Sequence, residues 1–271
     1  MTNTARDASS ADSPHILISN VSKTYESPRG DVLALSDVSL SIRNGEFISL
    51  LGPSGCGKST LLKLIAGLDV ASTGSLSLAG EAIVGPPAGL GMVFQKDVLL
   101  DWRNVLQNVM LPVEFQDMDQ KKYLARANQL LKQFGLGDFL LKHPWELSGG
   151  MRQRVAIGRA LVTDPSLLLM DEPFGALDAL TRDQLNLELQ DIWMRSVKTI
   201  VFVTHSIAEA ILLSDRICVM AARPGRIVDI MDIDFPRPRT LAVRETPEFS
   251  AYTRRVRQIF ESSGVFQHEH A

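Results

Sequence analysis

One run of eight residues constrains this chain more than any other feature. It reads Gly-Pro-Ser-Gly-Cys-Gly-Lys-Ser and fits the pattern G-x-x-x-x-G-K-[ST]. A short apolar segment, residues 47–51, comes before it and predicts a buried strand, and a helical pattern of leucines follows over residues 58–67. A strand, a glycine-rich turn and a helix in this order are typical of a phosphate-binding loop. Its members are Gly52, Pro53, Ser54, Gly55, Cys56, Gly57, Lys58 and Ser59, followed by Thr60.

The residue types explain why this loop is expected to bind a nucleoside triphosphate. Glycines let the backbone wrap closely, so that successive N–H groups point at phosphate oxygens. The helix that begins near Lys58 aims its positive end at the same place. The Lys58 ammonium can reach the β- and γ-phosphates, and the Ser59 hydroxyl can ligate Mg²⁺. The alternative is a glycine-rich turn with an incidental lysine, which the strand before and the helix after make unattractive.

A second motif is acidic. The apolar residues 167–170 predict a buried strand that ends in Asp171 and Glu172. An α/β sheet places its ligands at the carboxyl ends of its strands. Asp171 is therefore a candidate Mg²⁺ ligand, and Glu172 a candidate general base that faces the attacking water. An acidic pair alone is usually a solvated strand end, but after a phosphate-binding loop it indicates triphosphate hydrolysis.

A third motif begins at a second helix start. Ser148 is a natural N-cap, and the glycines after it expose the amides of the first helical turn, which makes a second phosphate cradle. The segment resembles the signature sequence of ABC transporter ATPases; it consists of Leu147, Ser148, Gly149, Gly150, Met151, Arg152, Gln153 and Arg154. The resemblance implies that this cradle closes over the nucleotide of a partner subunit, in a head-to-tail homodimer with two sandwiched ATP molecules. The alternative is an ordinary capped helix.

The same resemblance assigns roles to four further residues. Gln95 matches the glutamine that contacts Mg²⁺ and the catalytic water, and His205 matches the switch histidine that contacts the γ-phosphate. Asp178 lies in Ala-Leu-Asp, which resembles the loop that crosses the dimer interface, and Tyr25 matches an aromatic residue that stacks on adenine. Without the resemblance these would be a surface glutamine, a surface or helix-capping histidine, a helix cap and a strand-end tyrosine.

The order of predicted elements indicates an α/β fold. Strands are predicted at residues 15–19, 32–42, 47–51, 75–78, 91–94, 167–170, 199–204, 216–220 and 226–231. Helices are predicted at residues 58–67, 179–194, 207–213 and 247–262, and residues 102–162 are expected to be helical throughout, with turns near 135–137 and 143–144. Alternation of strands and helices at both ends implies a mostly parallel sheet.

With the resemblance, this pattern predicts a P-loop NTPase: a RecA-like parallel sheet core, an antiparallel β subdomain and an inserted helical subdomain. The expected divisions are a disordered tail over residues 1–14, the ATPase domain over 15–235 with the helical insertion at about 97–162, and a helical tail over 236–271.

Composition excludes several other classes. The formal net charge of −3 argues against a nucleic-acid partner. Two cysteines, Cys56 and Cys218, cannot form a disulfide framework and favour a reducing compartment. No stretch approaches the roughly 18 consecutive apolar residues of a membrane span, and the start of the chain lacks the apolar core of a secretion signal. A location on the cytoplasmic face of the inner membrane is therefore expected, with membrane association through a partner.

A finer resemblance concerns the transporter. The segments at residues 171–182, 99–105, 223–226 and 236–239 are similar to those of importers for nitrate, sulfonates and taurine. This implies integral membrane permease subunits and, indirectly, a periplasmic or extracellular substrate-binding protein. Leu99, Leu100 and Trp102 are candidate permease contacts, or they pack the insertion onto the sheet.

Three rival functions remain at this point. The chain could serve an ABC exporter or a lipid-trafficking system with the same motor. It could be an ABC ATPase without a transport role, although it carries a single cassette and no heptad-rich arm. It could also be a non-catalytic interaction module.

Overall fold

The computed structural model describes residues 14–28, 30–196 and 198–263. Ten strands are assigned in these ranges: β1 (Ile16–Tyr25), β2 (Val32–Ile42), β3 (Phe47–Leu51), β4 (Thr73–Leu78), β5 (Glu81–Ala82), β6 (Leu90–Val93), β7 (Leu167–Asp171), β8 (Thr199–Thr204), β9 (Arg216–Ala221) and β10 (Arg226–Asp232). The α-helices are α1 (Lys58–Ile65), α2 (Val105–Phe115), α3 (Gln120–Gln133), α4 (Gly149–Leu161), α5 (Ala179–Ser196), α6 (Ile207–Leu213) and α7 (Pro247–Ser262).

The strands form two sheets. The larger has six strands in the order β10-β9-β3-β8-β7-β6, and the smaller has four in the order β2-β1-β4-β5. Strands β9, β3, β8, β7 and β6 are parallel, β10 is antiparallel to β9, and the smaller sheet is wholly antiparallel. This is the mixed α/β architecture that the sequence predicts.

The parallel strands bring the functional loops to one edge. Every residue of β3 and β8 is buried, as expected for parallel strands that are covered on both faces. The chain leaves the carboxyl ends of β3, β6, β7 and β8 on the same side, because parallel strands share one direction. The phosphate-binding loop, Gln95, the Asp171–Glu172 pair and His205 follow these four strands.

Three apolar clusters hold the layers together. The first packs the helical layer of α2, α3 and α4 against one face of the large sheet, and it includes Val109, Leu131, Val155, Leu168 and Phe202. The second joins α1 and the small sheet to the other face, and the third packs α6 and α7 beside β3 and β9. The side chains of each cluster are removed from water, which is the main favourable contribution to folding.

Most predicted elements are confirmed, with shifted ends. The strand predicted at residues 15–19 continues to Tyr25, and the one predicted at 91–94 lies at 90–93, so that Phe94 is outside it. The helix predicted to reach Gly67 ends at Ile65. The helical insertion is three helices and two short 3-10 turns, Gly137–Phe139 and Pro144–Glu146, instead of continuous helix.

The domain boundaries remain predictions. The tail proposed for residues 1–14 falls outside the described residues apart from Pro14, and the last eight residues of the proposed 236–271 tail also lie outside them. In the part of the chain that the structure describes, no helix combines the length and apolar character needed to cross a membrane.

Candidate functional site: the loops after the parallel strands

The phosphate-binding loop owes its shape to glycine. Gly57 has φ of +90°, and a Cβ there would lie 2.5 Å from the Cδ2 atom of Leu35, so neither the backbone angle nor the space suits a larger residue. Gly57 is also the N-cap of α1, and no side chain caps that helix. The first N–H groups of α1 are therefore available to an anion.

Lys58 is held inside this loop. Only 4% of the residue is exposed, and its ammonium Nζ donates to the carbonyl oxygens of Gly52 and Pro53, both at 2.9 Å. The same Nζ lies 3.5 Å from Oε1 of Glu172. The cation therefore faces the strand end that carries the acidic pair.

Ser59 and Asp171 form the second contact between loop and strand end. The Ser59 hydroxyl donates to Oδ1 of Asp171 at 2.9 Å. Burial raises the pKa of Asp171 and the nearby Glu172 charge adds to this, while the Ser59 hydrogen bond opposes it. A carboxylate that is partly removed from water beside a hydroxyl is a suitable partial ligand set for Mg²⁺.

Glu172 is at the centre of the site. Its Oε2 lies 3.3 Å from Nδ1 of His205 and 3.4 Å from Nε2 of Gln95, and its Oε1 faces Lys58. The backbone φ of Glu172 is +43°, a left-handed value that is uncommon for a residue with a side chain. Such strain is frequent at functional sites, where it fixes the direction of one side chain. Here it turns the carboxylate towards three predicted site residues.

These residues border a cavity of about 490 Å³. Among its walls, eight were predicted from the sequence: Ser54, Gly55, Gly57, Lys58, Ser59, Thr60, Gln95 and Glu172. Five were not: Val32, Leu33, Ala34, Arg223 and Gly225. Of the predicted residues, Gly52 and Pro53 accept from Lys58, Asp171 contacts Ser59 and His205 contacts Glu172, so these four lie directly beside the cavity. Cys56 is buried within the loop.

The five missed residues depend on contacts between distant parts of the sequence. Val32 and Leu33 are 57% and 45% exposed, an unusual exposure for apolar residues at a strand start. The turn between β9 and β10 reaches them because Gly225 donates to the carbonyl of Ala34 at 3.1 Å and accepts from Ser36 N at 2.9 Å. In the sequence, the available signal is the apolar run Val32-Leu33-Ala34 at the start of a predicted strand, but nothing in it indicates that these residues line a cavity.

Tyr25 is fixed near the loop but is not part of the described cavity wall. Its hydroxyl donates to Oδ2 of Asp69 at 2.8 Å, and the Lys23 ammonium sits 4.9 Å from the ring centroid. Lys23 also pairs with Oδ1 of Asp69 at 2.6 Å. Burial raises the pKa of Tyr25, and the Asp69 hydrogen bond adds to this. The ring is therefore held in one orientation while 38% of the residue stays exposed.

The signature segment does not join this cavity in the described chain. Ser148 caps α4 by accepting from Met151 N at 3.3 Å, as the sequence predicts, and Gly149 and Gly150 open that helix. Asp178 caps the start of α5 by accepting from Thr181 N at 3.0 Å. Both therefore lie at helix starts outside the cavity that contains Lys58.

The donor set fits a magnesium–triphosphate complex. No group of three or more His, Cys, Asp or Glu residues among those described could hold a metal by itself. Mg²⁺ commonly binds through one or two protein oxygens together with phosphates and water, so Ser59 and Asp171 are the expected protein share. A basic amide-lined loop opposite a carboxylate that faces a histidine is the arrangement of a P-loop nucleoside triphosphatase.

Comparison with known proteins places the chain within that class. A protein-family model described as "ABC transporter" matches residues 35–175. A taurine import ATP-binding protein from Rhizobium johnstonii is 46% identical over 86% of this chain and 90% of its own length. A nitrate import ATP-binding protein from Synechocystis is 42% identical over 88% of this chain and 92% of its own length.

A similar solved structure is described as a dimeric post-hydrolysis state of the ATP-binding cassette MJ0796 bound to ADP and Pi. It has a TM-score of 0.73 and 33% sequence identity, and the match covers 82% of this chain and 100% of that one. The chain belongs to the ATP-binding subunits of the ABC transporter family, and it is an ATPase of that family.

Proposed function

We propose that this chain powers an importer: it binds ATP and Mg²⁺, hydrolyses ATP as a homodimer, and drives uptake of a small solute through separate membrane subunits. The observation that supports hydrolysis most directly is the position of Glu172, whose carboxylate faces Lys58, Gln95 and His205 at the mouth of the phosphate-binding loop. Each of these four residues follows, or belongs to the loop after, a different parallel strand.

Nucleotide binding is assigned to the loop and its surroundings. Backbone amides from Gly52 to Thr60 cradle the phosphates, and the Lys58 ammonium exchanges its carbonyl partners for phosphate oxygens, which carry more negative charge. Ser59 and Asp171 would hold Mg²⁺, with Gln95 as the third predicted ligand, and the bound ion would neutralise phosphate charge. Tyr25, the partly exposed last residue of β1, stacks on adenine.

Hydrolysis is assigned to Glu172 as general base, with Gln95 and His205 as positioning and charge-stabilising partners. The carboxylate Oε2 lies within 3.4 Å of both, so a water bound beside these three groups would face a base and two polar side chains. Lys58 stabilises the charge that spreads over the γ-phosphate oxygens during in-line attack.

The Glu172→Gln variant tests this assignment. Glutamine keeps the shape and a hydrogen-bonding oxygen but cannot accept the proton. ATP binding should remain, while phosphate release should fall to a small fraction of the wild-type rate, because general base catalysis contributes about 10²- to 10⁴-fold. Phosphate release and ATP affinity are measured on the same preparation. A wild-type rate of phosphate release would show that Glu172 is not the base.

The homodimer supplies the second half of each site. Ser148, Gly149 and Gly150, at the start of α4, are not part of the wall of the cavity that contains Lys58, so a partner subunit is the expected source of this anion cradle. Asp178 lies at the start of α5 on the Ala176–Asp178 segment, which we assign to the same interface. The dimeric state in the description of the MJ0796 cassette supports this arrangement.

An apolar groove supports a permease partner. It has a volume of about 360 Å³ and includes Phe94, Val98, Leu100, Phe115 and Arg159. Phe115 and Val98 are 82% and 54% exposed, which is unusual for large apolar side chains close together. Of the candidate contacts in the sequence, Leu99 packs against the core, whereas Trp102 is 74% exposed. The groove and Trp102 are therefore the surface assigned to the membrane subunit.

The importer assignment rests on the names of the taurine and nitrate relatives. It predicts that the tagged chain co-purifies from native membranes with a polytopic subunit, on the cytoplasmic face. It also predicts that uptake of a small solute of the nitrate, sulfonate or taurine kind depends on a substrate-binding protein. An exporter or lipid-trafficking motor would co-purify with a polytopic subunit but need no binding protein, and a non-transport ATPase would bring down neither.

A further inference from the structure

Glu209 is a buried acid that the proposed reaction does not use. It lies in the first turn of α6, two residues after that helix begins, and only 5% of the residue is exposed. Burial raises the pKa of Glu209, while the Thr204 hydrogen bond and the charges of Arg182, His205 and Arg244 lower it. A buried carboxylate is costly unless it is paired and hydrogen-bonded, so its partners indicate why it is there.

One carboxylate oxygen of Glu209 accepts a hydrogen bond from Thr204, at the end of the strand that precedes His205. The Thr204 hydroxyl donates to Oε2 of Glu209 at 2.5 Å, and the same hydroxyl accepts from Ser206 N at 3.0 Å. Thr204 is the last residue of β8 and is 2% exposed. Glu209 therefore holds the residues on both sides of His205 in place.

The other carboxylate oxygen faces the segment that carries Asp178. Oε1 of Glu209 lies 3.6 Å from Nε of Arg182, an ion pair that is too long for a hydrogen bond. Arg182 is in the first turn of α5, and its Nη2 donates to the carbonyl of Leu177 at 2.8 Å. Arg182 thus links Leu177, the residue before Asp178, to Glu209 through a hydrogen bond on one side and an ion pair on the other.

We propose that Glu209 and Arg182 are positioning residues: together they fix the segment at Ala176–Asp178 relative to the loop at His205, so that both reach the nucleotide in register. This inference rests on the proposed function, in which His205 assists hydrolysis and Asp178 lies at the dimer interface. The pair lies behind the two loops, in contact with their backbones through Thr204 and Leu177.

A helix cap alone does not account for these contacts. In an ordinary capping box, the acidic residue three positions after the N-cap would accept from the N-cap amide, here Ser206 N. In this chain Ser206 N donates to the Thr204 hydroxyl instead, and that hydroxyl donates to Glu209. The carboxylate is therefore directed at the end of β8 and at Arg182, which belongs to another helix.

The test measures steady-state ATPase activity of Glu209→Gln and Arg182→Gln. Each variant should lower kcat roughly 10- to 100-fold, because small displacements of reacting groups have effects of that size. The KM for ATP should stay within about twofold of wild type, since the phosphate-binding loop is unchanged. The kcat of the double variant should be no lower than that of the less active single variant, because the two residues act as a unit. Arg182→Lys should recover part of the activity, because it restores the charge.

A matched control uses another buried carboxylate that is paired with an arginine. Glu46 is 4% exposed, and its Oε1 accepts from Nη1 of Arg216 at 3.0 Å, but it precedes β3 and so lies at the opposite end of the parallel strands from His205. Glu46→Gln should lower the unfolding temperature without lowering kcat. If Glu209→Gln does not fold, Thr204→Val removes the hydroxyl while keeping the side-chain shape, and it should lower kcat in the same way.

Two results would overturn the proposal. One is a kcat for Glu209→Gln, or for Thr204→Val, that equals wild type or falls only as much as in Glu46→Gln. The other is a double variant whose loss is the product of the single losses. Glu172→Gln, assayed in parallel, separates the failures: if it is inactive while Glu209→Gln is fully active, only the positioning pair is wrong, whereas an active Glu172→Gln overturns the proposed function and the pair with it.

Discussion

Tyr25, the residue proposed to stack on adenine, is held in place by two neighbouring side chains. Its hydroxyl is bound to Asp69, and the Lys23 ammonium occupies a position over one ring face. Asp69 in turn pairs with Lys23, so the three side chains hold one another. A ring that is held in this way loses little further freedom when a base stacks on it, which favours binding.

Replacing Tyr25 should therefore weaken ATP binding without slowing the chemical step. Base–aromatic stacking contributes about 1–3 kcal/mol, so Tyr25→Ala should raise the Kd for ATP roughly 5- to 150-fold. Tyr25→Phe keeps the ring and loses only the hydrogen bond to Asp69, so its Kd should rise less. Calorimetric titration with Mg-ATP measures both, and kcat at saturating ATP should be unchanged. An unaltered Kd in Tyr25→Ala would place the adenine elsewhere, for example against Val32 and Leu33.

At the scale of elements, hydrogen bonds from Arg239 attach the segment before α7 to the core. Only 3% of this arginine is exposed, and no carboxylate among the described residues pairs with it. Its guanidinium instead donates to main-chain carbonyls, including those of Ile211, Ser214 and Ile233 at 2.8, 2.7 and 3.1 Å. Gln190 on α5 binds both the N–H and the C=O of Arg239. Burial lowers the pKa of Arg239 to about 10.

Arg239→Met should destabilise the fold strongly, because it leaves several buried carbonyls without donors. A loss of roughly 3 kcal/mol is expected from about 1–3 kcal/mol for each unsatisfied group. Thermal unfolding should shift down by about 6–12 °C for a chain of this size. Arg254→Met on α7 is the control, since Arg254 is exposed and should change stability by less than about 0.5 kcal/mol. Equal unfolding temperatures for the two variants would contradict a stabilising role for the hydrogen bonds of Arg239.

The strands and helices could be predicted because their periodicity is local, whereas the contacts of the site could not. The sequence identifies Lys58, Asp171 and Glu172 through spacing alone, and a parallel sheet then brings them to one edge. The contacts of Arg239 with Gln190 and of Gly225 with Ala34 join residues far apart in sequence, with no local pattern. Nothing in the sequence distinguishes Glu209 from an ordinary acid in a first helical turn, because its burial and the position of Arg182 are properties of the fold.

At the scale of the whole molecule, the two predicted anion cradles do not line a common cavity within one copy of the chain. Lys58 and the start of α1 line one cavity, whereas the start of α4 is not part of that wall. The helical layer carries α4 and is packed firmly on the large sheet through the apolar cluster of Val109, Leu131 and Val155. In the proposed homodimer, each copy of the chain would contribute half of two sites, and two copies related by a twofold axis would complete both.

Gly149 allows this arrangement to be tested without disturbing the monomer. Gly149 is exposed, and a Cβ there would meet only the Cδ2 atom of Leu177, at an ordinary 3.9 Å, whereas a Cβ on Gly150 would approach Thr181 Cγ2 to 2.7 Å. Gly149→Asp thus adds a carboxylate at the start of α4. That charge is favourable at a helix N-terminus, so the unfolding temperature should not fall.

The same carboxylate should repel a triphosphate from a second copy. Gly149→Asp should bind ATP to the phosphate-binding loop with wild-type affinity, yet lose ATP-dependent dimers in the Glu172→Gln background and lose most ATPase activity. Size-exclusion chromatography with Mg-ATP and phosphate release measure these properties, and Gly149→Ala, which adds a Cβ without charge, is the matched control. Wild-type turnover in Gly149→Asp would mean that the start of α4 meets no phosphate, because a like charge beside three negative phosphates in a closed interface costs far more than an exposed pair does.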